Sequence, residues 1–386
     1  MISPQSSRRE FLGQGVPALG LLAWAWHQPA TAAAADDAAQ VGTSPSESAR
    51  TLTERGVTFL RPRQDAKGGW STQREPGVTA LVVTALLRSG HVAPGESVVT
   101  KALAYLEGFI SPKGGLSEAP HANYSTSIAL LAFREANAKG RYDRTINAGQ
   151  EFLKSMQWDE SEGKSRDDAF YGGAGYGGSN SRPDLSNTAF FIEALRETGL
   201  PADDPNLKKA IIFVSRCQNL KSEFNDQPWS SKFNDGGFVY TAANGGQSMA
   251  GPASDGGLRS YASMTYAGLK SMIYAGLVRD DPRVKAALTY ITNHYTLDEN
   301  PGLGQQGLYY YYHTFAKTMA LLGESTLTDA AGVSHDWRSE LVAAISKRQL
   351  AEGGWVNPAD RFMEGDPNLV TAYALLALAY TRPKAK

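Results

Sequence analysis

The sequence predicts an all-α protein arranged as two concentric rings, with amphipathic helices outside and nearly apolar helices inside. Three observations lead there. A glycine pair with an aromatic neighbour recurs along the chain, two kinds of helical segment alternate around it, and one hydroxyl keeps its register in each copy. The unit is clearest from Asp235 to Leu277, where DGGFVYTAANGG, a Gly/Ser/Pro-rich loop and DGGLRSYASMTYAGLKSMIYAGL follow one another.

The copies can be laid under one another. Gly68, Gly69 and Trp70 precede Val78 to Gly90, Gly114 and Gly115 precede Ser125 to Asn137, and Gly177 and Gly178 precede Ser186 to Gly199. Further on, Gly302 to Gly307 precede Tyr312 to Gly323, and Gly353, Gly354 and Trp355 precede Leu369 to Tyr380. About six copies at intervals of roughly 45 to 65 residues describe a repeat architecture. The hydroxyls of Thr79, Ser127, Thr188, Thr265, Thr314 and Thr371 align.

Ahead of the glycines runs a first segment in each unit: Arg50 to Gln64, Val99 to Ile110, Arg144 to Gln157, Asn206 to Gln218, Arg283 to Tyr295 and Trp337 to Gln349. Apolar residues at i, i+3, i+4 and i+7 with charges between them mark a helix buried on one face. The segments after the glycines, such as Val78 to Leu87, Ser186 to Leu195 and Leu369 to Tyr380, are apolar nearly all round. Such helices must be covered on most sides. The inner ring then encloses either a packed centre or a cavity.

Asp203-Asp204-Pro205 and Asp280-Asp281-Pro282 put Asp at the N-cap and Pro at the first helical position, ordinary helix-start chemistry rather than a magnesium site. Asp366-Pro367 reads the same way, and Asp167-Asp168, in a glycine-flanked loop, is left open. Trp70, Phe238 and Trp355 read as clamps between units.

Composition removes several classes of partner. Among 386 residues, Lys+Arg number 38 against Asp+Glu 39, so nothing calls for nucleic acid or an anionic membrane. Cys217 is the one cysteine and forms neither an internal disulfide nor a cysteine-rich metal site. Residues 1–35 read as a twin-arginine signal: Ser7-Arg8-Arg9-Glu10-Phe11-Leu12, an apolar run from Gly13 to Trp26, and the small residues Ala32 to Ala35. The chain is then exported, periplasmic or extracellular. Residues 36–49 read as a flexible leader and 50–382 as one domain, and no later segment offers the ~20 uninterrupted apolar residues of a membrane span.

On the glycine pairs with Trp or Phe, the two helices per unit and the six units, the chain resembles the terpenoid cyclase and protein prenyltransferase α/α toroid superfamily, the prenyltransferase and squalene oxidase repeat proteins. The resemblance implies a central funnel that holds an isoprenoid, with aromatic faces that stabilise cationic carbon. Squalene cyclases carry an Asp-x-Asp-Asp-Thr-Ala run whose middle Asp protonates the substrate. The matching run here is Asp184-Leu185-Ser186-Asn187-Thr188-Ala189, with Ser186 at the acid position. Protein prenyltransferases bind zinc through an Asp-x-Cys pair and the His of a Tyr-His-Thr run. Tyr312-His313-Thr314 matches the second, while Tyr261 and Ser263 stand where Asp and Cys would be. One nitrogen ligand does not make a zinc site. Neither the standard cyclase acid nor the zinc set is retained, and neither a metal nor another cofactor is expected.

The sequence therefore points to a protein that binds an isoprenoid or other apolar ligand in an aromatic-lined funnel. The alternatives are a terpenoid-modifying enzyme with altered residues, and a non-catalytic interaction toroid with a protein partner on its rim. His313 and Asp184 are the candidate acid or base groups. His313 also reads as a hydrogen-bonded cavity histidine, or as a metal ligand with partners from other units. Asn187, Phe190, Tyr261, Tyr266, Tyr311 and Arg259 are the candidate ligand-binding residues, and Tyr309 to Tyr312 must face different sides of their helix. The Gly-rich loops Tyr171 to Ser179 and Ala242 to Gly257 lack the lysine of a phosphate loop and read as rim loops.

Overall fold

The computed structural model describes residues 44–71, 76–116, 121–177 and 181–382. The twin-arginine stretch, the small residues after it, most of the expected leader and Gly178 lie outside the described residues. Inner helices are α2 (Pro76–Arg88), α4 (Ala122–Glu135), α6 (Leu185–Glu197), α8 (Ala262–Tyr274), α10 (Leu308–Leu322) and α12 (Pro367–Thr381). Outer helices are α1 (Pro45–Leu60), α3 (Ser97–Glu107), α5 (Asp143–Lys154), α7 (Pro205–Arg216), α9 (Pro282–Asn293) and α11 (Trp337–Ser346). Each inner helix packs on the next from α2 to α12, and α12 packs back on α2, so the ring closes. Outside it, α1 seals the seam against α11 and α12.

The two helix types follow from their burial. Every residue of α2 from Pro76 to Leu86 is buried, whereas α5 buries one stripe, Ile146, Gly149, Gln150, Phe152 and Leu153. Helix starts use local chemistry. Asp204, Asp281 and Asp366 accept hydrogen bonds from the first-turn N–H groups, each with Pro next. Asp168 accepts from the Phe170 N–H and from Lys164 Nζ, and serves its own loop. The first helix begins at Pro45, capped by Ser44, so residues 45–49 are helical rather than leader. The cue was Ser44-Pro45-x-Glu47, a capping sequence.

The glycine pairs show what the repeat is for. In Gly68, Gly114, Gly172, Gly236 and Gly353, φ lies between 76° and 98°, and a Cβ would fall within 2.7 Å of a carbonyl oxygen of the following outer helix, or of α1 for the last pair. Only glycine lets that backbone approach so closely. The second glycine of each pair lies against an aromatic ring of the same outer helix: Tyr105, Phe152, Phe213, Tyr290 or Phe59. The next residue then donates its N–H to the repeat hydroxyl on the inner helix at 2.9–3.0 Å. Trp70 and Trp355 add an indole N–H bond to a carbonyl in the last turn of their own outer helix, Leu60 and Ile345.

Three alignments change. The second hydroxyl is Thr126, which accepts from the Leu116 N–H; Ser127, one residue on, turns its hydroxyl to Asn123. The third glycine pair is Gly172-Gly173, not Gly177-Gly178, and it was hidden because Ala174 follows it instead of an aromatic. Thr314 hydrogen-bonds back to Tyr310 and Tyr311 and, among the described residues, receives no loop N–H; its unit has no glycine pair.

Candidate functional site

All six inner helices run in the same sense, so one end of the ring collects their N-termini. The first N–H groups there have no partner within the helix, and the neighbouring unit's loop supplies one. In α4, Asn123 N–H donates to the Tyr176 carbonyl, and in α6 the Leu185 N–H donates to the Tyr240 carbonyl. The start of α8 is met by the Pro301 carbonyl and Asn300 Oδ1, and that of α10 by the buried Glu364 carboxylate, 2.8 Å from the Tyr310 nitrogen. Capping across units therefore pins the rim loops and places Tyr176 and Tyr240 over the ring.

Beneath them lies a cavity of about 350 Å³. Six tyrosines line it: Tyr124, Tyr176, Tyr240, Tyr261, Tyr310 and Tyr373. Met249, Met264, Met363 and leucines fill the spaces between, with Ser186, Ser263, His121 and Arg361 as other polar groups. The rings hold one another: Tyr310 meets Tyr373 edge-on at 5.9 Å, and the Tyr124 and Tyr373 hydroxyls are 3.0 Å apart. Ser186 Oγ lies 3.2 Å from the Tyr310 hydroxyl. Among the described residues that line the cavity, none is Asp or Glu.

Asp184 stands behind this wall as the N-cap of α6. Its carboxylate accepts from the Asn187 backbone N–H at 2.9 Å and from Asn187 Nδ2 at 2.8 Å. Burial pushes its pKa up to about 6, against the hydrogen bonds from Asn187 and from the Tyr240 hydroxyl. Asn187 Oδ1 is buried without a partner among the described residues. Tyr240 thus connects a buried carboxyl to the cavity.

The opposite end of the ring is built differently. Glu193 of α6 pairs with Lys270 of α8 and Lys317 of α10, and Lys317 also meets Glu197. Arg88 of α2 joins Glu197 at 2.5 Å and Glu135 of α4 at 2.9 Å, and the Tyr380 hydroxyl of α12 accepts from it at 2.5 Å. Every inner helix contributes to this plug. The two lysines and Glu193 are buried to 2% exposure or less. Burial works to raise the Glu193 pKa, but Lys270 and Lys317 hold it below the usual carboxylate range. Lys317 is raised because two carboxylates face it, and Lys270, with one carboxylate and a lysine neighbour, is lowered by burial.

His313 lies between the two ends. Its ring stacks on Tyr373 at 5.7 Å and tilts against Tyr380, and it does not line the cavity. Burial, reinforced by Lys270, Lys317 and Arg88, lowers its pKa to about 3 despite the opposing pull of Glu193, so it is neutral. Nδ1 has no partner among the described residues. Of the other sequence candidates, Tyr261 lines the cavity. Phe190 sits one layer back, edge-on to Tyr124 at 4.8 Å. Tyr266 and Tyr311 face away: they pack on Phe315, and the Tyr311 hydroxyl donates to the Thr296 carbonyl. Arg259 is exposed on the loop before α8, held there through its backbone. In the Tyr309 to Tyr312 run, only Tyr310 reaches the cavity.

Comparison with solved structures places this architecture. Type II terpene cyclase MstE from Scytonema, in complex with geranylgeranyl dihydroxybenzoate, superimposes with a TM-score of 0.55 over 87% of this chain and 97% of that one, at 12% identity. The fold is the α/α toroid. Its apo form gives 0.51 over 86% of this chain and 98% of that one at 14% identity, and a family 76 glycoside hydrolase from a bovine Bacteroides thetaiotaomicron strain gives 0.55 over 86% and 77% at 11%. Such identities establish a common toroid and nothing more. No protein-family model matches the chain, and no curated protein does.

Sequence reasoning missed Tyr124, Tyr240, Tyr373 and Arg361 at the open end of the toroid, and the whole ionic plug at the other. Tyr124 and Tyr373 had a signal: each lies in the first two turns of an inner helix, near Ser186 and Tyr310 in level. Glu193, Lys270 and Lys317 were the few charges inside otherwise apolar segments. Among the described residues no helix is long and apolar enough to cross a membrane, and no cluster of His, Cys, Asp or Glu is arranged to hold a metal.

Proposed function

We propose that the toroid binds a small isoprenoid, or another apolar molecule of that size, in its tyrosine-lined cavity. The wall itself carries the reading: six tyrosine rings with methionine and leucine between them. Such a surface is flat, polarisable and apolar, with hydroxyls at few points. A volume of about 350 Å³ lies near the lower end of ligand pockets. At ~30 Å³ per water it displaces about a dozen waters. That suits a chain of about ten to fifteen carbons, not a triterpene, and the MstE complex shows that a toroid of this kind accommodates a prenylated molecule. Calorimetric titration of the purified protein with geraniol, farnesol and squalene tests it. Binding of the first two and not the third is expected, and heat from none of them would defeat the reading.

A terpenoid-modifying enzyme is the second reading, and one observation favours it: the Asp184 carboxyl, with its pKa near 6, reaches the cavity through Tyr240. Ser186 is too weak an acid to protonate an alkene, and His313 is neutral and screened by Tyr373. New products from geraniol or geranyl diphosphate, lost in Asp184→Asn, would establish turnover; unchanged substrates would return the protein to the binding reading. We also read residues 1–35 as a twin-arginine export signal. A mature protein in the exported fraction that begins after Ala32 to Ala35, and that stays inside when Arg8 and Arg9 become Lys, is the expected result.

A further inference from the structure

The apolar cavity has one charged group in its wall, the Arg361 guanidinium at its exposed mouth. Nη1 donates to Gln306 Oε1 at 2.8 Å and to the Met249 carbonyl at 3.4 Å. The other edge is nearly unused: among the described residues Nη2 has only Met249 Sδ at 3.6 Å, a weak acceptor, and Nε makes no hydrogen bond. Among the described residues no carboxylate pairs with Arg361. Its charge also reaches the wall, where it favours the ionised form of the Tyr261 hydroxyl against burial and the neighbouring Tyr310. The cavity sits, besides, at the N-terminal ends of all six inner helices, where backbone dipoles favour negative charge.

A free two-donor edge of arginine is shaped for a planar carboxylate held by two parallel bonds. We infer that the ligand is an apolar acid, with its hydrocarbon in the tyrosine cavity and its carboxylate on the Nε and Nη2 edge of Arg361. This inference rests on the binding reading above. A diphosphate is a poorer match, because Arg361 is the only cationic side chain among the described wall residues.

The test compares geraniol, geranic acid and methyl geranate in calorimetric titrations of the wild-type protein and of Arg361→Ala and Arg361→Lys. The three ligands share one chain and differ in charge and in the number of acceptor oxygens. Geranic acid is expected to bind wild type at least tenfold more tightly than geraniol or the ester, since bonds to charged groups are the stronger ones. Arg361→Ala should remove that advantage, so that acid, alcohol and ester bind alike, and Arg361→Lys should restore part of it, because lysine keeps the charge without the fork. Geraniol and geranic acid binding alike, or an acid preference that survives Arg361→Ala, overturns the inference while the cavity reading stands. Binding by none of the three overturns both.

Discussion

Asp184 and Glu193 belong to the same helix of the same toroid, nine positions apart, and both are fully buried. About 13 Å of helix separates them. Yet burial moves the first up to about 6, while the second is held below the ordinary range. The difference lies in what each helix end meets. Asp184 has neutral donors, Asn187 and Tyr240, with only Arg182 acting at a distance. Glu193 has two ammonium groups in contact. One end of the ring is thus a tyrosine-walled opening whose one charged wall group is Arg361, and the other is a buried ionic plug.

The largest expected effect is at the plug. Glu193→Ala leaves Lys270 beside Lys317 with no carboxylate of its own, and a broken buried pair costs about 3 to 5 kcal/mol. Urea unfolding measures it. A loss below about 1 kcal/mol would mean that water already reaches these lysines and that the plug is not sealed.

A second test concerns the docking that holds both ends in register. Gly172 has φ +84°, and a Cβ there would stand 1.9 Å from the Lys209 carbonyl oxygen of α7. Gly163 has a similar φ, +72°, with nothing within 4 Å. Gly172→Ala should cost about 3 kcal/mol, backbone strain plus the displaced helix, and Gly163→Ala about 1 from strain alone. Equal losses in the two variants would show that conformation, not close approach, selects glycine in the repeat.

The toroid was legible in the sequence because its signals are local and repeated. A glycine pair in five of the six units and an apolar helix after it need no partner to be recognised. The irregular copies misled for the same reason: Ala174 and Leu116 replace the aromatic, and Thr126 and Ser127 offer adjacent hydroxyls, so a one-residue choice was undetermined until the Leu116 N–H was placed. Of the candidate site, Tyr261 and Asp184 were found through their motif positions, whereas Tyr266 and Tyr311 face the outer helices. On a helix, one residue of register rotates a side chain by about 100°. The plug was illegible because its pairs lie far apart in the chain, 88 with 135 and 193 with 270 and 317, and no local pattern records them.

The third expectation is a pH effect at the open end. The Asp184 pKa is raised in the folded state, so its share of stability is fully present below the unfolded value near 4 and is lost as pH rises through about 6. The loss amounts to about 3 kcal/mol by pH 8. Asparagine caps a helix as well as aspartate. In Asp184→Asn the unpartnered Asn187 Oδ1 gains a donor once its amide turns. The variant should therefore match wild type below about pH 3.5 and exceed it at pH 8, in thermal unfolding at both. A wild-type advantage at pH 8 would mean that the ionised carboxylate is stabilised by more than Asn187 and Tyr240.

The smallest effect comes from the surface counterpart of the plug. His335 lies between Asp329, 3.2 Å from Nε2, and Glu340, 3.0 Å from Nδ1, and its ring packs on Tyr295 at 4.1 Å. Hydrogen bonds and charge from the two carboxylates raise its pKa over the opposing effect of burial. The chemistry is that of Lys317 between Glu193 and Glu197, a cation shared with carboxylates, but water and salt now screen it. A raised histidine contributes stability that is complete below pH 6.5 and fades as pH climbs through the raised value. His335→Gln should cost no more than about 0.5 kcal/mol at pH 5.5, nothing at pH 9, and less still in 1 M salt. Glu193→Ala should keep its cost across that whole range, because neither salt nor hydroxide reaches a pair enclosed by six helices. If salt relieved both alike, the contrast between a screened and a sealed ion pair would fail, and with it the closed end of the ring.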